Sequence, residues 1–131
     1  MKQEPVWIRD DVVTAVHERQ IAEHGGETGV RDPGLLESAL HAPKQRYHYQ
    51  EEDIPALAAA YAFSLARNHP FVDGNKRTAY VCMRLFLNLN GHDITANKEE
   101  KVRIMTDLSA GAADRDALTD WVRAHLDSDK L

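Results

Sequence analysis

The sequence has a single cysteine, Cys82, so no internal disulfide can form and the chain suits a reducing compartment. Its seven glycines and five prolines are too few for a collagen-like, loop-rich or low-complexity protein. No apolar run approaches the roughly 20 residues that a membrane span requires. The longest, Ala56 to Ala66, is already interrupted by Ser64. The opening residues, MKQEPVWIRD, contain no apolar stretch of the kind that marks a secretory signal. A basic excess is missing too: 21 acidic residues against 16 basic ones give a formal charge of −5. That balance argues against nucleic acid or an anionic membrane as a direct partner. Alternating strand patterns are nearly absent, and no repeat or Ser/Gly linker divides the chain. What remains is 43% hydrophobic and 28% charged, the make-up of a globular chain able to bury a core. The expectation is one domain spanning 1–131, located in the cytoplasm.

Helical periodicity recurs from end to end. The first helix is expected to start at Asp10, read as its cap, to bury Val12, Val13 and Val16, and to stop at Gly25-Gly26. Asp32-Pro33 opens a short second helix that buries Leu35, Leu36, Ala39 and Leu40 and ends at Pro43. Lys44 to Asp53 (KQRYHYQEED) is polar and reads as an exposed loop or a short hairpin flap. A third helix starts at Ile54, carries Leu57, Tyr61 and Leu65 among alanines, and ends near Asn68, because Pro70 disfavours helical geometry at His69. Gly74 reopens the chain into a fourth helix, apolar nearly all round from Thr78 to Leu89, which puts it at the centre of a bundle. Asn90-Gly91 closes it. Asn97 and Glu100 form a capping-box pattern for a fifth helix through Val102, Met105 and Leu108 to Gly111. A sixth runs from about Asp114 through Leu118, Trp121 and Val122 to Leu126. The fold class is therefore all-α: about six helices around a buried central one.

Chemistry concentrates between helices three and four. A helix N-terminus offers unpaired backbone N–H groups and the positive end of the dipole. Gly74 lets the main chain approach a ligand, and Asn75, Lys76 and Arg77 fill the first turn. Cations there disfavour the helix on its own, and a bound polyphosphate reverses that penalty. Asp73 is a hard oxygen ligand suited to the Mg²⁺ that accompanies nucleotide phosphates. His69 is a base with a pKa suited to neutral pH. Base, metal ligand and anion cradle within nine residues match transfer of a phosphorus-centred group from a nucleotide to a hydroxyl.

This stretch, HPFVDGNKR at 69–77, resembles the signature of the Fic/Doc family, HPFx(D/E)GN(G/K)R. The runs VRDPGLLESAL at 30–40 and AAAYAF at 58–63 are similar to its compact death-on-curing (Doc) branch. The resemblance implies an all-α Fic fold with the motif loop between helices three and four. It implies His69 as catalytic base and Asp73 as the Mg²⁺ ligand. The backbone of Gly74 with the side chains of Asn75 and Arg77 would form the anion hole, and Phe71 would anchor the loop in the core. Position 76 separates the reactions of the family. AMP-transferring members have Gly there and a second Arg three residues after the first; this sequence has Lys76 and Tyr80. Lys76 is similar to the Doc toxins, which pass the γ-phosphate of Mg-ATP to a threonine of elongation factor Tu and halt translation. The resemblance thus implies a Doc-like toxin of a type II toxin–antitoxin pair, acting as a protein kinase. Pro70 and Gly74 follow the Fic form of the motif, which keeps AMP transfer as the runner-up. A non-catalytic helical binding module is the alternative of another class. The implied partner is a Phd-like antitoxin whose C-terminal segment folds on the toxin.

Other features have blander readings beside them. Arg67 could reach the anion pocket, or simply be a cation at a helix C-terminus, with even weight on the two. The Lys44–Asp53 flap could clamp a target peptide by strand addition, as in Fic proteins, or merely connect helices. His17, His24, His41, His48, His92 and His125 show no metal-ligand spacing and read as surface or partly buried structural residues. Cys82 reads as a buried thiol, and Trp7, Tyr61, Phe63, Phe86 and Trp121 as core. The inhibitory pattern (S/T)xxxE(G/N) of Fic proteins is approached at Thr14–Arg19 and fails at Arg19, so no built-in brake is expected.

Overall fold

Alanines, prolines and glycines set where the helices run and stop in the computed structural model, which describes residues 3–50 and 52–127. The order is α1 (Asp10–His24), α2 (Pro33–Gln50), α3 (Ile54–Asn68), α4 (Asn75–Leu89), α5 (Lys98–Ala110) and α6 (Arg115–His125). Among the described residues there is no strand, only two isolated bridges, Val30 with Phe71 and Ile94 with Leu126. Among the described residues no helix is long and apolar enough to cross a membrane. Positions 1, 2, 51 and 128–131 of the expected 1–131 unit lie outside the described residues.

The sequence points to α4 as the central helix; the structure gives that position to α3. Asp53 caps α3 by accepting the Ala56 N–H at 3.2 Å, and eleven of its fifteen residues are buried. Alanine is the best helix former and leaves no bulk, so α2, α4, α5 and α6 all pack against this one rod. In α4, buried Thr78, Ala79, Cys82, Met83, Phe86 and Leu87 form one face, while Lys76, Arg77, Arg84 and Asn88 keep the other in water. Counting apolar residues overstated its burial: Tyr80, Val81 and Leu85 are half-buried and Leu89 is exposed. Tyr61 and Phe86 are fully buried, and Trp7, Phe63 and Trp121 pack against the core from its margin.

The second correction concerns α2. Pro43 does not end it, and the expected flap is helical through Gln50. A proline inside a helix loses one hydrogen bond and costs about 3 kcal/mol. Here Leu36, Ala39, Leu40, Pro43 and Tyr47 make one inward stripe; Pro43 is buried and Tyr47 sets its ring edge-on to Trp7 at 5.8 Å. That burial against α3 offsets the lost bond.

Smaller differences concern α1 and α5. Arg9, extended and without a side-chain cap bond, occupies the N-cap of α1, and Asp10 with Asp11 fills the first turn, where carboxylates suit the dipole. In α5 the expected capping box of Asn97 and Glu100 is formed in both directions, whereas Val102 faces solvent.

Candidate active site

Helix α3 stops because Pro70 follows His69, and His69 takes the left-handed conformation (φ 47°, ψ 55°) as its C-cap. For a residue with a Cβ this conformation costs roughly 1–2 kcal/mol, so it needs external support. Arg31 supplies it. Its Nε donates to the His69 carbonyl at 2.7 Å and its Nη2 to the Asn68 carbonyl at 2.9 Å. The Arg31 and Asp32 N–H groups both donate to the Pro70 carbonyl, and Val72 N–H donates to the Gly29 carbonyl. The segment 29–31 thus lies antiparallel to 70–72, and His69 itself is exposed.

Phe71 faces inward, 1% exposed, and stacks on His17 of α1 with ring centroids 3.9 Å apart and planes 6° apart. The Nε2 of His17 donates to the Asp73 carbonyl at 2.8 Å, since a carbonyl can only accept. The Asp73 carboxylate then folds back: Oδ1 accepts the Gly74 N–H at 2.8 Å and Oδ2 the Glu27 N–H at 3.3 Å. Gly26 lies directly against it, and a Cβ there would come within 2.7 Å of Oδ2. Gly74, at φ 73°, makes the N-cap of α4. Thr78 N–H, donating to the Gly74 carbonyl, is the first intrahelical donor, which leaves the N–H groups of Asn75, Lys76 and Arg77 without helical acceptors.

The loop unites His69, Asp73, Gly74, Asn75, Lys76 and Arg77 at the junction of α3 and α4, with two differences from expectation. Asn75 turns inward: its amide accepts from Phe71 N–H and donates to the Phe71 carbonyl, both at 3.0 Å. Its side chain is committed to the loop, so the groups left to meet an anion are main-chain N–H groups with exposed Lys76 and Arg77. Arg67 also departs, lying over the Phe63 ring at 5.5 Å and reaching toward Gly111 at the end of α5. The plain helix-end reading fits it.

The carboxylate of Asp73 is exposed and no cluster of three or more metal-ligating side chains exists among the described residues. One carboxylate suits a Mg²⁺ that arrives with phosphates and keeps its waters, as Mg²⁺ commonly does. The residues fit that ion and do not make a freestanding metal cage.

Sequence reasoning missed the supports, His17, Gly26 and Arg31. A signal for His17 existed: it lies four residues from both Val13 and Ile21, on the buried face of α1. Arg31 carried none, because its role depends on a contact 38 residues away.

Comparison with known proteins gives the same picture. A model described as the Fic/DOC family matches residues 7–87. The chain is 44% identical over 121 residues to Toxin Doc of Mycolicibacterium smegmatis, covering 90% of this chain and 88% of that protein. It is 36% identical over 107 residues to Protein kinase doc of Escherichia phage P1, covering 81% of each. With its motif loop, helical frame and two near-full-length relatives in agreement, the chain belongs to the Fic/DOC family.

Proposed function

We propose that this protein is a Doc-like toxin of a type II toxin–antitoxin system, working in the cytoplasm as one Fic/Doc unit over 1–131. It transfers the γ-phosphate of Mg-ATP to a hydroxyl side chain of a translation factor similar to elongation factor Tu, and so arrests translation. The observation that carries this reading is the junction itself: exposed His69 caps the end of α3, and six residues later unpaired N–H groups with two cations open α4. The relatives named Toxin Doc and Protein kinase doc support it.

In this mechanism His69 takes the proton of the acceptor hydroxyl. The freed oxygen bonds to the γ-phosphorus, the bond to the β–γ bridging oxygen breaks, and ADP leaves with that electron pair. The N–H groups of Asn75, Lys76 and Arg77, with the Lys76 and Arg77 side chains, hold the phosphates and stabilise charge on the transferred group. When bound, Mg²⁺ neutralises phosphate charge, and Asp73 is the residue that would hold it. Arg67, resting on Phe63, takes no part. A Phd-like antitoxin is the partner that restrains the enzyme.

Lys76 favours phosphate transfer over AMP transfer, since it adds bulk and charge where AMP-transferring relatives have Gly. Pro70 and Gly74, shared with those relatives, serve the loop: Pro70 accepts from Arg31 and Asp32, and Gly74 provides the left-handed turn. ATP labelled separately on the α- and γ-phosphates tests the assignment with elongation factor Tu as acceptor. Label should pass from the γ position, with none passing in His69→Ala. Label from the α position would establish AMP transfer instead. Failure to bind any nucleotide in Mg²⁺ buffer would leave a helical binding module.

A further inference from the structure

The Asp73–Gly74 peptide is held at both ends. Its carbonyl accepts from His17 Nε2, and its N–H donates to the Asp73 carboxylate, so the orientation of that carboxylate follows the orientation of the peptide. His17 is 2% exposed, and its ring is locked by the stack on Phe71. Gly74 sits against it too: a Cβ at Gly74 would stand 3.9 Å from the Nε2 of His17 and 3.0 Å from Ile21. A peptide at φ 73° with a flexible glycine on one side can flip easily unless its carbonyl is tied. From this geometry we infer that His17 is a positioning residue: through the Asp73 carbonyl it aims the Asp73 carboxylate and the first turn of α4 at the cation and phosphates. The inference rests on the phosphotransfer reading above for what the loop holds, and on the contacts alone for what His17 does. It requires a proton on Nε2, because the partner is an acceptor only.

Two substitutions in the full chain separate the ring from the donor. His17→Phe keeps the stack on Phe71 and removes the hydrogen bond, whereas His17→Gln keeps an N–H donor of similar reach and removes the ring. Outer-shell partners of metal ligands typically change metal affinity 10- to 100-fold. The Mg²⁺ concentration for half-maximal ATP binding should therefore rise about tenfold or more in His17→Phe, and Gln should recover most of it. Thermal midpoints read the structural role and need not follow that order. In the nucleotide-free parent, ¹⁵N spectra of the imidazole should show Nε2 protonated where the ring is neutral.

A protonated Nδ1 with a bare Nε2 would overturn the inference, whatever ATP does. So would an unchanged Mg²⁺ requirement in His17→Phe, or a Gln variant no better than Phe. If the parent shows the Nε2 proton yet binds no Mg-ATP, the phosphotransfer reading fails, and with it the role of His17 toward a cation.

Discussion

The side-chain amide of Asn75 pairs with both main-chain polar groups of Phe71, accepting from its N–H and donating to its carbonyl at 3.0 Å each. The other edge of this strand-like segment is taken by residues 29–31, which bond its neighbours Pro70 and Val72, so the segment is held from two sides. Asn75→Ala leaves both Phe71 groups without their partner, and the chain should lose about 1–3 kcal/mol of stability in urea unfolding. Asn75→Asp preserves the acceptor but points a carboxylate at the Phe71 carbonyl. It should weaken ATP binding more than a lost surface contact would.

Arg31 supports the main chain of His69 without reaching the reacting atoms. Arg31→Ala should lower kcat on the order of 10- to 100-fold, since small misplacements of a reacting group cost that much. KM for ATP should change far less, because the N–H groups and cations proposed to hold the phosphates belong to α4. Steady-state rates over an ATP series separate the two.

Cys82 is wholly buried in α4, and burial pushes its thiol up to about 12. A thiol-reactive dye should leave the folded chain unmodified at neutral pH and label one site once urea unfolds it. Labelling without unfolding would mean that α4 opens locally.

His125 faces two acceptors, the Trp121 carbonyl at 2.8 Å from Nδ1 and Glu100 Oε2 at 2.9 Å from Nε2. Both nitrogens must carry protons to satisfy them, and the Glu100 hydrogen bond is the main cause that raises this imidazole above its ordinary value of 6.5. A raised folded value stabilises the chain fully below the ordinary imidazole range, and that contribution fades as pH climbs through the raised value. Glu100 is lowered from 4.5, chiefly by the same bond, so its share is lost instead as pH falls through its depressed value. The thermal midpoint of the parent minus that of His125→Asn should therefore be greatest near pH 5.5 to 6 and shrink toward pH 8.

Helix ends were legible where their chemistry is local. Asp53, Asn97 and Asp114 cap by their own carboxylate or amide, and Pro70, Gly25 and Gly111 stop helices through their own backbone limits. Pro43 misled because its cost is local while the compensation, burial against α3 and the contact of Tyr47 with Trp7, is tertiary. The motif could be read because its residues are contiguous. The inward turn of Asn75 toward Phe71 is not legible, because sequence names a side chain without saying which way it turns. Arg67 looked close to the site along the chain, and the ring of Phe63 draws it away.

The contacts that hold the nine-residue signature are remote in sequence: Arg31 reaches back 38 positions, Glu27 46 and His17 56. Grafted onto another helical hairpin, HPFVDGNKR would arrive without the histidine beneath its aromatic ring, the bare glycine beside its acid, and the guanidinium under its base. Such a transplant should have the residues of the site without their arrangement. The contacts that arrange the nine residues therefore belong to the span from α1 to the first turn of α4, not to the motif alone.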